Sequence, residues 1–249
     1  MPIVRNSFIQ MSKLTNLKGR INYISSHARQ ENLYAVYETT DRIFWTELAK
    51  CNQEEFMRSG TEGKCIEARE LIIALPESFV DYEPDKLLKL FTEHFKQNYD
   101  VECISALHHN KRKTNYHIHL IFSERKLLDE PVEKIATRNM FYDETGKHVR
   151  TKKEILDEAG QLRSGCKIIP RGEVYERNIF TIKDSRFKSD CFLDEVKWSY
   201  TDLINIYVRD DKEKLKVFDK NGVYLPMKKV GKNNPKAEQI EADNRVRTM

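Results

Sequence analysis

Apolar residues recur with a helical period in three stretches of the N-terminal half of the chain. Residues 41–58 and 85–99 carry apolar side chains three and four positions apart, and the first stretch opens on an aspartate suited to an N-cap. Residues 16–30 also favour a helix, which begins near position 17 and carries Tyr23. We therefore predict three helices, preceded by an extended segment over residues 2–10.

Short apolar runs between these helices have the length and composition of strands. Residues 70–75 (ELIIAL) form one run that ends at a proline, and residues 101–108 (VECISALH) form a second. A basic turn over residues 110–114 leads into a third run at residues 117–122 (HIHLIF). Because so short a connection joins the last two runs, we predict that they pair as antiparallel strands.

The C-terminal half has weaker patterns. Residues 189–208 predict one long helix, residues 143–146 and 219–222 predict hairpin turns, and residues 237–249 resume a charged helical pattern. Taken together, the elements predict an α/β fold of the α+β type, in which a mostly antiparallel central sheet of about five strands is flanked by helices.

The length of the chain suits one domain. We predict a single domain over residues 1–249, with a core at residues 1–126 and an extension at residues 127–249. The last helical pattern reaches Met249 without a capping residue, and we interpret the chain as the N-terminal part of a longer protein.

The composition indicates a heavily charged surface. Hydrophobic residues make up 39% and charged residues 33% of the chain, and no apolar run is long enough to span a bilayer. The first ten residues lack the pattern of a signal peptide, so we expect a cytoplasmic protein without membrane insertion. Five cysteines without a Cys-x-x-Cys pair predict reduced thiols rather than disulfides or a thiolate zinc site.

The formal net charge of +4 says little about nucleic acid, but the basic residues are clustered. Clusters occur at residues 111–113, 150–153 and 228–236. A single cluster of this kind is usually a solvated surface. Clusters that flank a metal site favour the binding of DNA phosphates.

Four of the seven histidines lie between residues 108 and 119. His117 and His119 are two positions apart on a predicted strand, so their side chains point to the same face. The preceding strand ends at His108 and His109, and one of this pair faces the same pocket. Three converging imidazoles predict a metal site with open positions for a substrate. Since zinc hydrolases also use three histidines, the ligands alone do not identify the reaction.

Three segments resemble motifs of one enzyme family. Residues 114–125 (TNYHIHLIFSER) resemble the histidine–hydrophobic–histidine (HUH) motif of the mobilisation relaxases, specifically the MobA/MobL, or MobQ-type, family. Residues 68–76 (ARELIIALP) resemble that family's Ala-Arg-Glu-apolar-Leu-Pro segment, and residues 19–25 (GRINYIS) lie where the family carries its N-terminal tyrosine. The order of the motifs agrees with the family, and the resemblance covers residues 1–126.

Two positions depart from the family pattern. Tyr116 stands where the family often has a proline before the histidine pair, and Ile24 follows the tyrosine where arginine is common. Neither departure touches an atom expected to react, although both loosen the alignment.

The resemblance implies an enzyme, a DNA relaxase that cuts one strand at an origin of transfer and stays attached to its 5′ end. It implies that His117 and His119 bind a divalent metal, Mn²⁺ or Mg²⁺, with a third histidine. Family spacing matches His109 as that ligand, whereas the local Ala-Leu-His context matches His108, which we favour. The implied partners are single-stranded or hairpin DNA of the transfer origin, accessory relaxosome proteins and a conjugation coupling protein.

The resemblance also implies roles for residues outside the metal site. Tyr23 is the implied nucleophile, with Tyr34 and Tyr37 as its rivals. Glu70 lies at the start of its strand. It is either a solvated carboxylate or a group that supports the site, as a general base, a partner of a ligand histidine or an outer metal contact. The residues expected to contact DNA are Arg69, Lys111, Arg112, Lys113 and Arg125.

Three other functions are compatible with these residues. A rolling-circle replication initiator shares the metal and the tyrosine, but the order and spacing of the motifs favour the mobilisation type. A three-histidine metal hydrolase acting on a small molecule needs neither Tyr23 nor a basic surface. A non-catalytic DNA-binding module would bind metal weakly or not at all.

Overall fold

A computed structural model describes residues 4–219, 227–228, 230 and 234–248 of the chain. Part of the predicted turn at 219–222, and Lys229 and Lys232 of the last basic cluster, lie outside the described residues. The helices are α1 (Leu17–Ile24), α2 (Arg42–Ser59), α3 (Pro84–Tyr99), α4 (Asp190–Tyr207) and α5 (Ala237–Thr248). The strands are β1 (Arg5–Asn6), β2 (Ile9–Leu14), β3 (Leu33–Glu38), β4 (Ala68–Leu75), β5 (Cys103–His109), β6 (Tyr116–Phe122), β7 (Leu127–Ile135), β8 (Met140–Tyr142), β9 (His148–Val149), β10 (Lys167–Ile169), β11 (Val174–Phe180) and β12 (Leu215–Lys216).

Five strands form the central sheet in the order β2-β4-β6-β5-β3, and every neighbouring pair is antiparallel. The α+β class with a mostly antiparallel sheet is thereby confirmed, as is the pairing of β5 with β6. All five strands fall between Ile9 and Phe122.

Helices α1 and α2 cover one face of this sheet. The buried residues that join them to it form one apolar cluster, which includes Leu17, Ile21, Ile24, Phe44, Trp45, Leu48, Ile104, Ala106 and Ile121. Because side chains alternate along a strand, every second residue of β5 and β6 enters this cluster and the residues between them face the other side. His117 and His119 lie on the same face of the sheet as Ile121, which is the face that α1 covers.

Helix α3 covers the opposite face. The ring of Phe95 on α3 lies 4.7 Å from the ring of Phe122 on β6, measured between centroids. Thr92 of α3 and Ser105 of β5 share a buried hydrogen bond of 2.6 Å between their hydroxyl oxygens. The sheet is thus buried on both faces, which explains why β5 reads as an almost continuous apolar run.

Helix α1 is shorter than the sequence pattern predicts. It ends at Ile24, where the hydroxyl of Ser25 donates to the carbonyl oxygen of Ile21 over 2.7 Å. The chain then turns into β3, a strand that the sequence pattern did not identify. A serine that bonds back to the preceding turn satisfies a terminal carbonyl, so the helix has a local reason to stop there.

The segment after β6 forms smaller sheets. Strand β7 pairs antiparallel with β11, and β8 pairs with both β9 and β10. The predicted turn at residues 143–146 is confirmed between β8 and β9, with Gly146 in the left-handed region at φ 79°. No helix within the described ranges is long and apolar enough to cross a membrane.

The chain divides into two compact units. One unit, Phe8–Glu195, contains the five-stranded sheet; the other joins Met1–Ser7 to Val196–Met249, and in it β1 and β12 pair in parallel. The single domain with a core at residues 1–126 stays a prediction.

Glu67, directly before β4, anchors the start of α1. Its carboxylate accepts hydrogen bonds from the backbone N–H of Leu17 (2.7 Å) and from the amide of Gln53 on α2 (2.6 Å). Its carbonyl oxygen accepts from the side-chain amide of Asn52, 2.9 Å away. The first N–H groups of a helix have no partner within the helix, so this buried carboxylate fixes where α1 begins.

We expect Glu67→Ala to lower the free energy of unfolding by about 1–3 kcal/mol, because the buried N–H of Leu17 loses its acceptor. Glu67→Gln keeps a carbonyl oxygen at the same place and is the matched control, with a smaller loss. Urea unfolding followed by circular dichroism measures both variants. An unfolding midpoint of Glu67→Ala equal to that of wild type would contradict the anchoring role.

Candidate metal centre

Three histidines come together on the sheet face that α1 covers, and we call them the three-histidine group: His108, His117 and His119. His108 lies opposite His117 in the β5–β6 pairing, and His119 is two positions further along β6, so all three project from one face. One ring nitrogen from each lies within 4.8 Å of the others, and the Nε2 atoms of His117 and His119 are 3.1 Å apart.

The outward nitrogen of each ring faces an acceptor of the chain. The three pairs are His108 Nε2 with the Ile24 carbonyl oxygen (2.8 Å), His117 Nδ1 with the Asn115 carbonyl oxygen (2.9 Å), and His119 Nδ1 with Glu70 Oε1 (2.9 Å). Each outward nitrogen therefore carries the proton, which leaves one unprotonated nitrogen per ring for the centre of the group. Metal-binding imidazoles usually have such outer acceptors.

Burial favours the neutral form of His108 and His117. Desolvation, reinforced by the neighbouring His119, lowers the pKa of His108 to about 4, and desolvation also lowers the pKa of His117. Neutral imidazole is a good ligand for divalent transition metals, and three such ligands leave coordination positions open. The donor set therefore fits a divalent cation that also binds substrate.

Glu70 lies under α1 and is 2% exposed. Its carboxylate accepts from the Arg20 guanidinium, with Nε at 2.9 Å and Nη2 at 2.8 Å, and from His119 Nδ1. Burial raises the pKa of Glu70, but the hydrogen bonds from His119 and Arg20 outweigh it and hold that pKa below its usual value. Of the roles expected for Glu70, these contacts favour the partner of a ligand histidine.

Helix α1 touches the three-histidine group at two points. Arg20 reaches Glu70 and lies 3.2 Å from His119 Nδ1, and the carbonyl oxygen of Ile24 faces His108. Tyr23 lies three residues after Arg20, on the same side of the helix, and the Arg20 guanidinium is 5.3 Å from the centre of its ring. Tyr23 is 43% exposed, so a large substrate has access to its side chain.

Arg20 is a site residue that the sequence patterns did not reveal. The available signal was its position in GRINYIS, one helical turn before the tyrosine. Nothing in the local sequence, however, indicated that the partner of Arg20 would be a glutamate 50 positions away.

His109 belongs to a different set of contacts. It follows His108 directly on β5, so its ring lies on the other side of the sheet. Its Nε2 is 2.7 Å from Glu77 Oε1, and its Nδ1 is 3.0 Å from the hydroxyl of Tyr34. Of the two alternatives for the third histidine, His108 lies beside His117 and His119, whereas His109 does not.

The rival tyrosines are held by other partners. Tyr34 is bonded to His109, as described, and Tyr37 donates to Glu93 Oε1 over 2.7 Å. The hydrogen bond to Glu93 raises the pKa of Tyr37 to about 12, which makes its hydroxyl harder to ionise. These contacts favour Tyr23 among the three tyrosines.

The predicted DNA contacts fall into two groups. Residues 111–113 are exposed in the turn between β5 and β6, where Lys113 has a φ of 52°. Arg69 and Arg125 are 4% and 2% exposed, and their guanidinium groups pair with Glu124 (2.7 Å) and with Glu55. Burial and pairing with carboxylates make these two arginines less available to phosphates than residues 111–113, and their contact with DNA stays a prediction.

Comparison with known proteins adds the following. The sequence model of the MobA/MobL family matches residues 45–237. The curated proteins contain no match. A solved structure described as "Molecular Basis of Vancomycin Resistance Transfer in Staphylococcus aureus" is similar at 12% identity and a TM-score of 0.46, over 86% of this chain and 97% of that chain.

An antiparallel sheet with a histidine–hydrophobic–histidine strand, beside a helix that carries a tyrosine, agrees with the HUH class, which includes relaxases and replication initiators. The family match spans more than half of the chain. The chain belongs to the MobA/MobL family of mobilisation relaxases, and this membership implies a DNA endonuclease that works by transesterification.

We expect His108→Ala to weaken Mn²⁺ binding by more than about 100-fold, because His108 is one of three predicted ligands and loss of a ligand costs more than loss of an outer partner. His109→Ala is the matched control, since it changes the adjacent residue on the opposite face and leaves the three-histidine group whole. Isothermal titration of the metal-free protein measures both. A larger loss of affinity in His109→Ala than in His108→Ala would contradict the assignment.

Proposed function

We propose that this chain nicks one DNA strand at the origin of transfer of a plasmid or other mobile element. Tyr23 is the nucleophile, and the three-histidine group holds a divalent metal beside the scissile phosphate. The observation that carries the proposal is the double contact of α1 with that group, through Arg20 and through the carbonyl oxygen of Ile24.

The reaction is a transesterification at phosphorus. The phenolic oxygen of Tyr23 loses its proton and bonds to phosphorus, while the bond from phosphorus to the 3′ oxygen breaks. The leaving oxygen takes up a proton and becomes a free 3′ hydroxyl, and the 5′ phosphate stays on the tyrosine. Because the phosphodiester is exchanged rather than hydrolysed, the reverse reaction rejoins the ends without ATP.

A tyrosine needs help to react, since its unperturbed pKa is near ~10. A divalent ion, when bound, would neutralise charge on the phosphate oxygens and align the phosphate for in-line attack. Glu70 and the carbonyl oxygens of Ile24 and Asn115 keep the ligand rings turned toward the centre. The family implies Mn²⁺ or Mg²⁺, and imidazole ligands favour Mn²⁺ because Mg²⁺ prefers oxygen.

Arg20 links the nucleophile to the histidines. Its guanidinium packs over the ring of Tyr23 while its nitrogens bond Glu70. In this arrangement Arg20 holds Tyr23 beside the three-histidine group.

The substrate is single-stranded DNA or a hairpin with a single-stranded tail. The basic turn at residues 111–113 joins the two strands that carry the three-histidine group, and its exposed cations suit the phosphates of a strand passing the site. As a relaxase, the protein would act with accessory relaxosome proteins and a conjugation coupling protein.

The direct test is cleavage of a labelled single-stranded oligonucleotide from the transfer origin of the protein's own element. We expect wild type to form a covalent protein–DNA adduct with Mn²⁺ and none with EDTA. Tyr23→Phe removes only the attacking oxygen, so the adduct should disappear. Tyr34→Phe is the matched control and should retain the adduct.

Each alternative outcome has a distinct meaning. An adduct that persists in Tyr23→Phe and is lost in Tyr34→Phe would move the nucleophile to Tyr34. Cleavage without an adduct would indicate a metal hydrolase that uses water. Absence of cleavage by wild type on the correct origin would refute the proposed activity.

Arg20→Lys tests the positioning role separately. Lysine keeps the charge but cannot bond Glu70 with two nitrogens, so we expect cleavage at saturating Mn²⁺ to slow by about tenfold or more. Mn²⁺ affinity should fall by less than it does in His108→Ala, because Arg20 acts through Glu70 and is not itself a predicted ligand. Arg29→Lys, an exposed position beyond α1, is the control. A wild-type rate for Arg20→Lys would refute this role.

A further inference from the structure

Helix α1 leaves part of the sheet face that carries the three-histidine group uncovered. The uncovered part lies on β4 and β2, and we call it the open corner. Its members are Phe8, Gln10, Ile72 and Ala74. Ile72 of β4 lies opposite His119 of β6. Ala74 lies opposite His117, so both apolar side chains share the face of the three-histidine group.

The two faces of β4 differ in exposure. Leu71 and Ile73, which point to the face that α3 covers, are fully buried. The residues that alternate with them, Ile72 and Ala74, are only half-buried. Gln10, which lies opposite Ile72 on β2, is exposed. Strand β4 is therefore covered on its α3 side and open on the side of the three-histidine group.

Phe8 lies in the same row of the sheet as two of the histidines. The backbone N–H of Ala74 donates to the carbonyl oxygen of Phe8 over 3.0 Å, which continues the β2–β4 pairing by one residue. Ala74 lies opposite His117, and His117 lies opposite His108. Because neighbouring strands are about 4.8 Å apart, the backbones of Phe8 and His117 are separated by roughly 10 Å.

Phe8 is the largest side chain of the open corner, and it is 56% exposed. A single exposed apolar residue is ordinary on a protein surface. Phe8 differs because the open corner adjoins the histidines of β6, on the side away from the contact between Ile24 and His108. A DNA strand whose phosphate lies at the histidines extends over the neighbouring side chains, and the open corner is among them.

We propose that the open corner is a stacking platform for one unpaired base next to the nick, with Phe8 as its aromatic surface. The proposal rests on the proposed function. Every base has an apolar π-face, and stacking on an aromatic side chain is a common way in which proteins hold single strands. Ile72 and Ala74 extend the apolar surface, and the amide of Gln10 offers a donor and an acceptor at its edge.

The size and the surroundings of the open corner favour this occupant. A stable protein–protein interface buries about 800 Å² on each partner, far more than four side chains offer. The exposed cations at residues 111–113 lie just beyond the last residue pair of β5 and β6, at the end of the sheet where the Phe8 row lies. Cations for phosphates beside an apolar surface for a base match the chemistry of a single strand.

A base held at Phe8 aligns the strand. Its distance from the histidines is fixed by the sheet, so stacking helps to set which phosphate reaches the metal. Because every base can stack on an aromatic ring, the open corner contributes affinity and alignment rather than a reading of the sequence.

The test is binding in EDTA, where no cleavage is expected, to transfer-origin oligonucleotides with one abasic site at successive positions around the nick. We expect one position at which loss of the base weakens wild-type binding by about five- to fiftyfold, the effect of losing one stacked base. Phe8→Leu keeps an apolar side chain but lacks the ring. It should weaken binding of the intact strand by a similar factor, and the same abasic site should then have little further effect. Phe8→Tyr keeps the ring and should bind as wild type does.

Fluorescence reports the stacking itself. The base analogue 2-aminopurine loses emission when it stacks, so at the sensitive position it should be quenched by wild type and by Phe8→Tyr but not by Phe8→Leu. Trp198→Ala is the matched control, since it removes an aromatic side chain of similar exposure (59%) on α4, and it should leave binding and quenching unchanged. Mn²⁺ affinity of Phe8→Leu should equal that of wild type, which shows that the three-histidine group is intact.

The outcomes separate this inference from the proposed function. Wild-type binding of the intact strand by Phe8→Leu, or a loss in Trp198→Ala as large as in Phe8→Leu, would overturn the platform while Mn²⁺-dependent nicking remained. Abasic sites with equal effects at all positions would overturn it as well. The expected binding pattern without nicking would support the platform and refute the nuclease. Failure of wild type to bind the strand, with or without Mn²⁺, would overturn both.

Discussion

The register in which β5 pairs with β6 is the constraint on which the site depends. It sets His108 opposite His117 and, one step on, Leu107 opposite Ile118. Leu107 and Ile118 are fully buried on the side of α3, so a shift of one residue would place imidazoles in that apolar layer and apolar side chains at the metal site. The hydrophobic packing of alternate residues therefore holds the ligands in position.

Tyr23, the proposed nucleophile, is positioned by long-range contacts of a short helix. Helix α1 has eight residues, and so short a helix has little stability of its own. Its start is fixed by Glu67, its middle by the bond from Arg20 to Glu70, and its end by the contact of Ile24 with His108. The helix that carries Tyr23 and the three histidines thus share one hydrogen-bonded network, so the position of each depends on the other.

Local sequence pattern was enough to predict β4, β5, β6 and the histidine pair, but it did not identify β3. The period-two pattern of the β6 segment and its short connection to β5 predicted both the pairing and the common face of His117 and His119. The choice between His108 and His109 depended on where β5 ends, which the sequence did not specify. The sequence also does not show that Arg69 pairs inside the protein with a glutamate 55 positions away. Contacts between residues so far apart in the sequence exist only once the sheet has formed.

We propose that Tyr23 attacks DNA at a metal held by the three-histidine group. Mass spectrometry of the trypsin-digested protein–DNA adduct identifies the attacking residue, because cleavage after Arg20 and Arg29 isolates Tyr23 as the only tyrosine of its peptide. Tyr34 and Tyr37 fall together in the next peptide, residues 30–42. We expect a nucleotide attached to the peptide of residues 21–29. A nucleotide found instead on residues 30–42 would show that Tyr23 is not the nucleophile.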